Sequence, residues 1–210
     1  MILIGQYDSP FVRRVAVALK LYGHDYEHRP WSTFADGDRV AVYNPLRRVP
    51  VLVLNDGEVL IESAAILDYL DELAGPGALI PRRGLARREA LKICALATGL
   101  CDKMVILVYE RLLHAAVSEV WIRRCETQIT SVLGALEQEC AARSATFWFD
   151  NRIGHADIAV ACAMRFLGEA HPEIAGQGKW PRLGALASLC EDLAVFRSVV
   201  QRFIPPASSR

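Results

Sequence analysis

The sequence predicts two fold classes in tandem: a small α/β domain over residues 1–75 and an all-helical domain over residues 85–210, joined by a linker at 76–84. Three observations predict this. Short apolar runs of strand length are confined to the first third of the chain. Gly and Pro then cluster from Gly75-Pro76-Gly77 to Pro81-Arg82-Arg83-Gly84. Beyond that cluster only helix-period patterns remain.

In the first domain Met1 to Gly5 reads as an apolar strand. Phe11 to Tyr22 reads as a helix, with Phe11, Val15, Leu19 and Tyr22 at steps of three and four. Gly23 follows, where a left-handed residue ends a helix. Tyr26 to Trp31 is a second strand, and residues 32–48 are irregular. Val51-Leu52-Val53-Leu54 is a buried strand, Asn55-Asp56-Gly57 a hairpin turn, and Val59-Leu60-Ile61 the antiparallel return. Ser63 caps a helix with Ile66, Leu67, Leu70 and Leu73 inward, ending near Gly75. The order β-α-β, irregular stretch, β-β-α is a thioredoxin-like arrangement.

In the second domain residues 85–113 form a long helix. Val120 to Cys140 forms another, with Trp121, Cys125, Ile129, Val132 and Leu136 as one stripe. Ile158 to Leu167 is apolar nearly all round, which predicts the buried central helix of the bundle. Residues 182–194 give a last helix, and the tail from Pro205 to Arg210 reads as loose.

Composition narrows the function. The 210 residues include 24 basic and 24 acidic ones, and 52% are apolar. Zero net charge removes the electrostatic argument for nucleic acid as the main partner. The Arg pairs at 47–48, 82–83, 87–88 and 123–124 are dispersed and read as solvated faces. No apolar run reaches the roughly 18–20 residues of a membrane span, and the N-terminus lacks a signal-peptide pattern, so a cytoplasmic location is expected. The six cysteines all follow residue 93 and lack Cys-x-x-Cys spacing. Cys94 and Cys101 would share a helix face but stand roughly 10 Å apart, too far for a disulfide. Buried thiols in a reducing compartment are expected. The five His residues show no zinc-ligand spacing, so no metal is expected.

Three short signals in residues 1–63 bear on chemistry. Ser9-Pro10-Phe11-Val12-Arg13 lies where a strand ends and a helix begins. Backbone N–H groups there lack intrahelical partners and the helix dipole favours an anion. Pro10 suits a first helical position. Arg48-Val49-Pro50 precedes a strand and reads as a tight turn. Glu62-Ser63 opens a helix. Each has a plain structural alternative: a cap, a rigid turn, and a cap preceded by a surface acid.

Together with Asn44-Pro45-Leu46-Arg47-Arg48-Val49-Pro50 and Glu62-Ser63-Ala64-Ala65-Ile66-Leu67-Asp68-Tyr69-Leu70, these signals make the chain resemble the soluble, cytosolic-type glutathione S-transferase family, as a serine-type bacterial-like member. The resemblance spans the whole chain. It implies glutathione as co-substrate and a reaction in which its thiolate attacks a small electrophile. An isomerase, a peroxidase or a non-catalytic glutathione-binding scaffold on the same fold are the alternatives.

The resemblance also distributes roles. Ser9 would donate a hydrogen bond to the thiolate and lower the thiol's pKa. Tyr7, two residues earlier, is the rival for that role, since some relatives use a tyrosine near the end of the first strand. Val49, ahead of a cis bond to Pro50, would pair its backbone with the extended tripeptide. Arg48 could bind the glycine carboxylate, Ser63 the γ-glutamyl carboxylate, and Glu62 the ammonium group. Phe11 joins this set. Asp102 on the long helix could reach the ligand ammonium in a neighbouring subunit, and a homodimer through the helical domain is implied. Tyr7, Phe11, Trp31, Phe34, Tyr109 and His114 are the candidate lining of the second-substrate site. In one respect the chain departs from the family pattern. A Ser/Thr-x-x-Asp capping box usually precedes the buried helix; here Asp157 is present but the cap position is Gly154. Glycine caps nearly as well, and Asp157 is expected to be structural.

Overall fold

The computed structural model describes residues 1–206; residues 207–210, part of the tail read as loose, lie outside the described residues. The first domain runs β1 (Ile2–Ile4), α1 (Pro10–Leu21), β2 (Glu27–Arg29), α2 (Gly37–Ala41), β3 (Val51–Val53), β4 (Val59–Ile61) and α3 (Ser63–Ala74). The sheet order is β2-β1-β3-β4, with β1 parallel to β2 and the other neighbours antiparallel. This is the thioredoxin-like β-α-β-α-β-β-α order, followed by a helical domain.

The two-residue side-chain period of a strand divides the sheet's contacts. Leu3 and Leu52 point into the main core with α1 and α3, whereas Ile4, Val51 and Val53 form a second cluster with Val40 of α2. Both faces of β3 are therefore covered, which is why its sequence is a continuous apolar run rather than an alternating one. The Asn55-Asp56-Gly57 turn joins β3 to β4, with Gly57 at φ 92.

A 3₁₀ turn at Gly75–Gly77 leads into the helical domain. Its helices are α4 (Gly84–Leu113), α5 (Glu119–Ala142), α6 (His155–Ala170), α7 (Pro172–Ala175), α8 (Pro181–Glu191) and α9 (Ala194–Arg197). α6 is the central one, buried at nearly every position from His155 to Ala163 among α1, α4 and α8. All six cysteines are buried and unpaired.

Several boundaries differ from the expectations. β2 is half the expected length, and α2 lies within the stretch read as irregular. The short α7 and α9 were not foreseen, and α6 extends beyond both ends of the expected helix. On α5 the buried stripe is Cys125, Ile129, Leu133, Leu136 and Cys140; Trp121 stays exposed and Val132 half-buried. Leu73 on α3 faces outward. Ser63 is not the cap of α3 but its first residue; Glu62 holds the cap position without a side-chain capping bond.

The departure at Gly154 has a steric cause. A Cβ there would stand 2.8 Å from the Leu79 carbonyl oxygen. That carbonyl accepts from the His155 N–H at 2.9 Å, so the connection between domains is pressed against the start of α6. Only the acid half of the box exists. Asp157 accepts from the Gly154 N–H at 2.9 Å and from the Trp148 N–H at 2.8 Å. Burial pushes its carboxyl up to about 6, although these two backbone donors favour the charged form.

Candidate functional site

The three sequence signals meet at one end of the sheet. Gly5, at φ 126, ends β1 between the first turn of α1 and Val49; a Cβ there would lie 2.5 Å from Val12 Cγ2 and 2.8 Å from Val49 Cβ. Only glycine allows this approach. The second signal meets the third through Arg48, whose Nη1 lies 3.7 Å from Glu62 Oε1. The first meets the third through Arg14 on α1, whose Nη1 donates to Ser63 Oγ at 3.4 Å.

Ser9 is the N-cap of α1, with extended backbone angles and Pro10 behind it at the first helical position. Its Oγ accepts from the Val12 N–H at 3.4 Å, a long bond that leaves the hydroxyl hydrogen uncommitted. Asp8 precedes it. Burial pushes the Asp8 carboxyl up, and its Oδ2 accepts from the Ile204 N–H at 3.0 Å. The same terminal segment reaches Tyr7, whose N–H donates to Gln201 Oε1 at 3.0 Å. The C-terminal strap thus braces the strand–helix junction on which Ser9 sits.

Val49-Pro50 is cis. Among the described residues the Val49 backbone N–H and C=O enter no hydrogen bond, so both are free for an extended ligand. The turn is held from below by Asn44, which is fully buried: its Nδ2 donates to the Arg48 carbonyl at 2.9 Å and its Oδ1 accepts from the Leu46 N–H at 3.0 Å. Glu62 has φ 66 and ψ 125, a strained region for a non-glycine residue that costs on the order of 1–3 kcal/mol. Both Arg48 and Glu62 are more than half exposed, so their ion pair is weak and a ligand carrying both charges can displace it.

The second-substrate candidates divide. Phe34 and Tyr109 come together across the domains, with ring centroids 5.3 Å apart in edge-to-face contact. Burial pushes the Tyr109 phenol up, partly offset by the neighbouring Thr33 side chain. Phe11 is half-buried against the main core. The Tyr7 hydroxyl lies 2.8 Å from the Tyr26 hydroxyl, and its ring stacks on His28 at 3.8 Å. Trp31 packs on the second cluster beside Tyr43 and under Arg39, and its ring contacts do not include Phe34 or Tyr109. His114 is exposed just past α4 and pairs with Glu110 at 2.8 Å. Asp102 is half-buried on α4 and makes no side-chain hydrogen bond or ion pair among the described residues.

Gly5, Asn44 and the pair Arg13-Arg14 carry no assigned role in the sequence patterns, although Gly5, Asn44 and Arg13 lie within them. Both arginines are buried. Their signal was present: two charges inside the run Val12 to Leu19, which is apolar on every other face.

Residues 3–78 match the N-terminal domain of glutathione S-transferases, and residues 119–186 match the C-terminal domain. The chain is 34% identical over 168 residues to the uncharacterized GST-like protein YibF of Escherichia coli K12, covering 80% of this chain and 82% of that one. It superposes with a TM-score of 0.90 on a glutathione S-transferase from Methylobacterium radiotolerans in complex with glutathione sulfonate, at 26% identity over 97% of this chain and 95% of that one. A glutathione transferase family member from Pseudomonas fluorescens Pf-5 with bound glutathione gives a TM-score of 0.82 and 32% identity, covering 96% of this chain and 99% of that one. The chain belongs to the glutathione S-transferase family.

Proposed function

We propose that this chain is a serine-type glutathione transferase. It binds glutathione along the Val49-Pro50 edge, holds the sulfur at Ser9, and adds the thiolate to a small electrophile. The thiol proton leaves to solvent. The sulfur's electron pair then forms the new bond to carbon, and a leaving group departs or a double bond takes up the charge. The protein's contributions are thiolate stabilisation and alignment of two reactants.

The observation that carries the reading is the convergence of a lightly committed Ser9 hydroxyl at a helix N-terminus, an unpaired Val49 backbone and the Glu62-Ser63 turn. Arg48 and Glu62 offer a cation for the glycine carboxylate and an anion for the ligand ammonium. Family relatives solved with glutathione or its sulfonate support the choice of ligand. Phe34 and Tyr109 form the wall for the second substrate. A homodimer through the helical domain, with Asp102 contributing to a neighbouring site, belongs to the same reading, as does a cytoplasmic, detoxifying role. Thermal denaturation with and without glutathione tests it: a ligand-dependent rise in Tm for both wild type and Ser9→Ala is expected, with conjugation of a panel of electrophiles lost in the variant. No rise in the wild type would overturn it.

A further inference from the structure

Residues 200–206, the strap that follows α9, form neither helix nor strand, yet three bonds seat them. Gln201 Oε1 accepts from the Tyr7 N–H at 3.0 Å. The Phe203 N–H donates to Glu169 Oε2 of α6 at 2.6 Å, and the Phe203 ring meets Phe166 edge-on at 5.4 Å. The next N–H, that of Ile204, donates to Asp8 Oδ2 at 3.0 Å. Two acids thus grip successive strap N–H groups, and they are held differently. Glu169 is also paired with Arg165 at 2.8 Å. Among the described residues Asp8 forms no ion pair; burial and the Glu169 charge push its carboxyl up, against the backbone donors.

An acid at this place works against the chemistry proposed above. A carboxylate one residue before Ser9 makes a thiolate there harder to form. Its benefit lies in the strap. The bond to Ile204 spans 196 positions and, with the bond from Tyr7, pins both residues that precede Ser9. The Ser9 Oγ has only the long bond from Val12, so the backbone of the junction, rather than a set of partners, sets its direction. We infer that Asp8 is a positioning residue for the transfer reaction: by seating the strap at Ile204 it fixes the junction between β1 and α1, and so aims the Ser9 hydroxyl at the sulfur. The inference rests on the glutathione reading above. Asp8 acts through Ser9 and is not a catalytic residue. A small error of aim matters, since a misplacement of about 1 Å can cost on the order of a hundredfold in rate.

The test uses two pairs of proteins, each pair equal in charge and differing in the one bond. Asp8→Asn keeps an acceptor for the Ile204 N–H, and Asp8→Ala removes it. The wild type has that N–H, and Ile204→Pro removes it. The pKa of the bound glutathione thiol is read by thiolate absorbance, alongside kcat/KM for a conjugation substrate and Kd for glutathione. Within each pair the protein lacking the bond is expected to show a thiol pKa higher by about half a unit or more and a kcat/KM lower by about fivefold or more, with Kd within about twofold. Asp8→Asn, which keeps the bond and loses the charge, is expected at or below the wild-type thiol pKa. If one variant does not fold, the other pair decides. Thiol pKa values that agree within a folded pair overturn the inference, even where Tm falls, and leave the glutathione reading standing. A wild type that binds no glutathione overturns both.

Discussion

The Tyr7 hydroxyl lies 2.8 Å from the hydroxyl of Tyr26, and the Tyr7 ring is stacked flat on His28. Burial pushes the Tyr7 phenol up, partly offset by the bond from Tyr26. Tyr7 is thus built into β1's surroundings, while Ser9 keeps a free hydroxyl hydrogen. This pairing supports Ser9 over its rival. Tyr7→Phe is expected to keep kcat/KM for a conjugation substrate within about threefold, whereas Ser9→Ala loses roughly ten- to a hundredfold, the scale of one charge-assisted hydrogen bond of about 1.5–3 kcal/mol. Steady-state kinetics of the two variants decide this, and a larger loss in Tyr7→Phe would transfer the role.

Gly154 meets the Leu79 carbonyl so closely that the family's usual capping hydroxyl cannot be accommodated without moving the chain. Gly154→Ser would restore the sequence pattern yet is expected to destabilise the protein by about 2 kcal/mol, through backbone crowding that outweighs the few tenths gained from a better cap. Differential scanning calorimetry should show a fall in Tm of several degrees, at about 2–4 °C per kcal/mol for a chain of this size. A raised Tm would mean that the interdomain connection yields freely.

Asp157 is buried with two backbone donors, and its carboxyl sits near 6, above the ordinary value of about 4. The folded chain therefore holds this proton in a pH range where the unfolded chain has released it. Its stabilising contribution is full below about pH 4 and is lost as pH rises through 6. Asp157→Asn removes the titration. Urea unfolding of both proteins should show the wild type's advantage shrinking by about 2 kcal/mol between roughly pH 4.5 and 7.5. A constant or growing advantage would show that the N–H bonds outweigh the burial.

The sequence made the hairpin legible because Asn-Asp-Gly supplies its own turn chemistry, and β3 because a strand covered on both faces is apolar throughout. Ser9, Val49, Pro50, Glu62 and Ser63 were legible as motifs, and the structure gathers them at one corner. What the sequence withheld depends on tertiary partners. α2 hides because Gly37-Asp38-Arg39-Val40-Ala41 buries only Gly37 and Val40 and so shows no period. The crowding at Gly5 is set by Val12 on α1 and by Val49, which only the fold brings beside it. Arg13 has no partner visible in the sequence, because Glu191 lies 178 positions later and only the fold brings it there. A serine before an apolar stripe looks like a cap, whereas here Ser63 is the first helical residue, Glu62 holds the cap position, and Arg14 Nη1 donates to the Ser63 Oγ.

The role of Ser9 is tested most directly by the ultraviolet thiolate absorbance of bound glutathione, titrated with pH on wild type and Ser9→Ala. A bound-thiol pKa about two units below the free value of about 8.5 is expected in the wild type, a stabilisation of about 2.7 kcal/mol, returning toward the free value in the variant. A wild-type thiol that titrates like free glutathione, or a variant that keeps the lowered value, would contradict it.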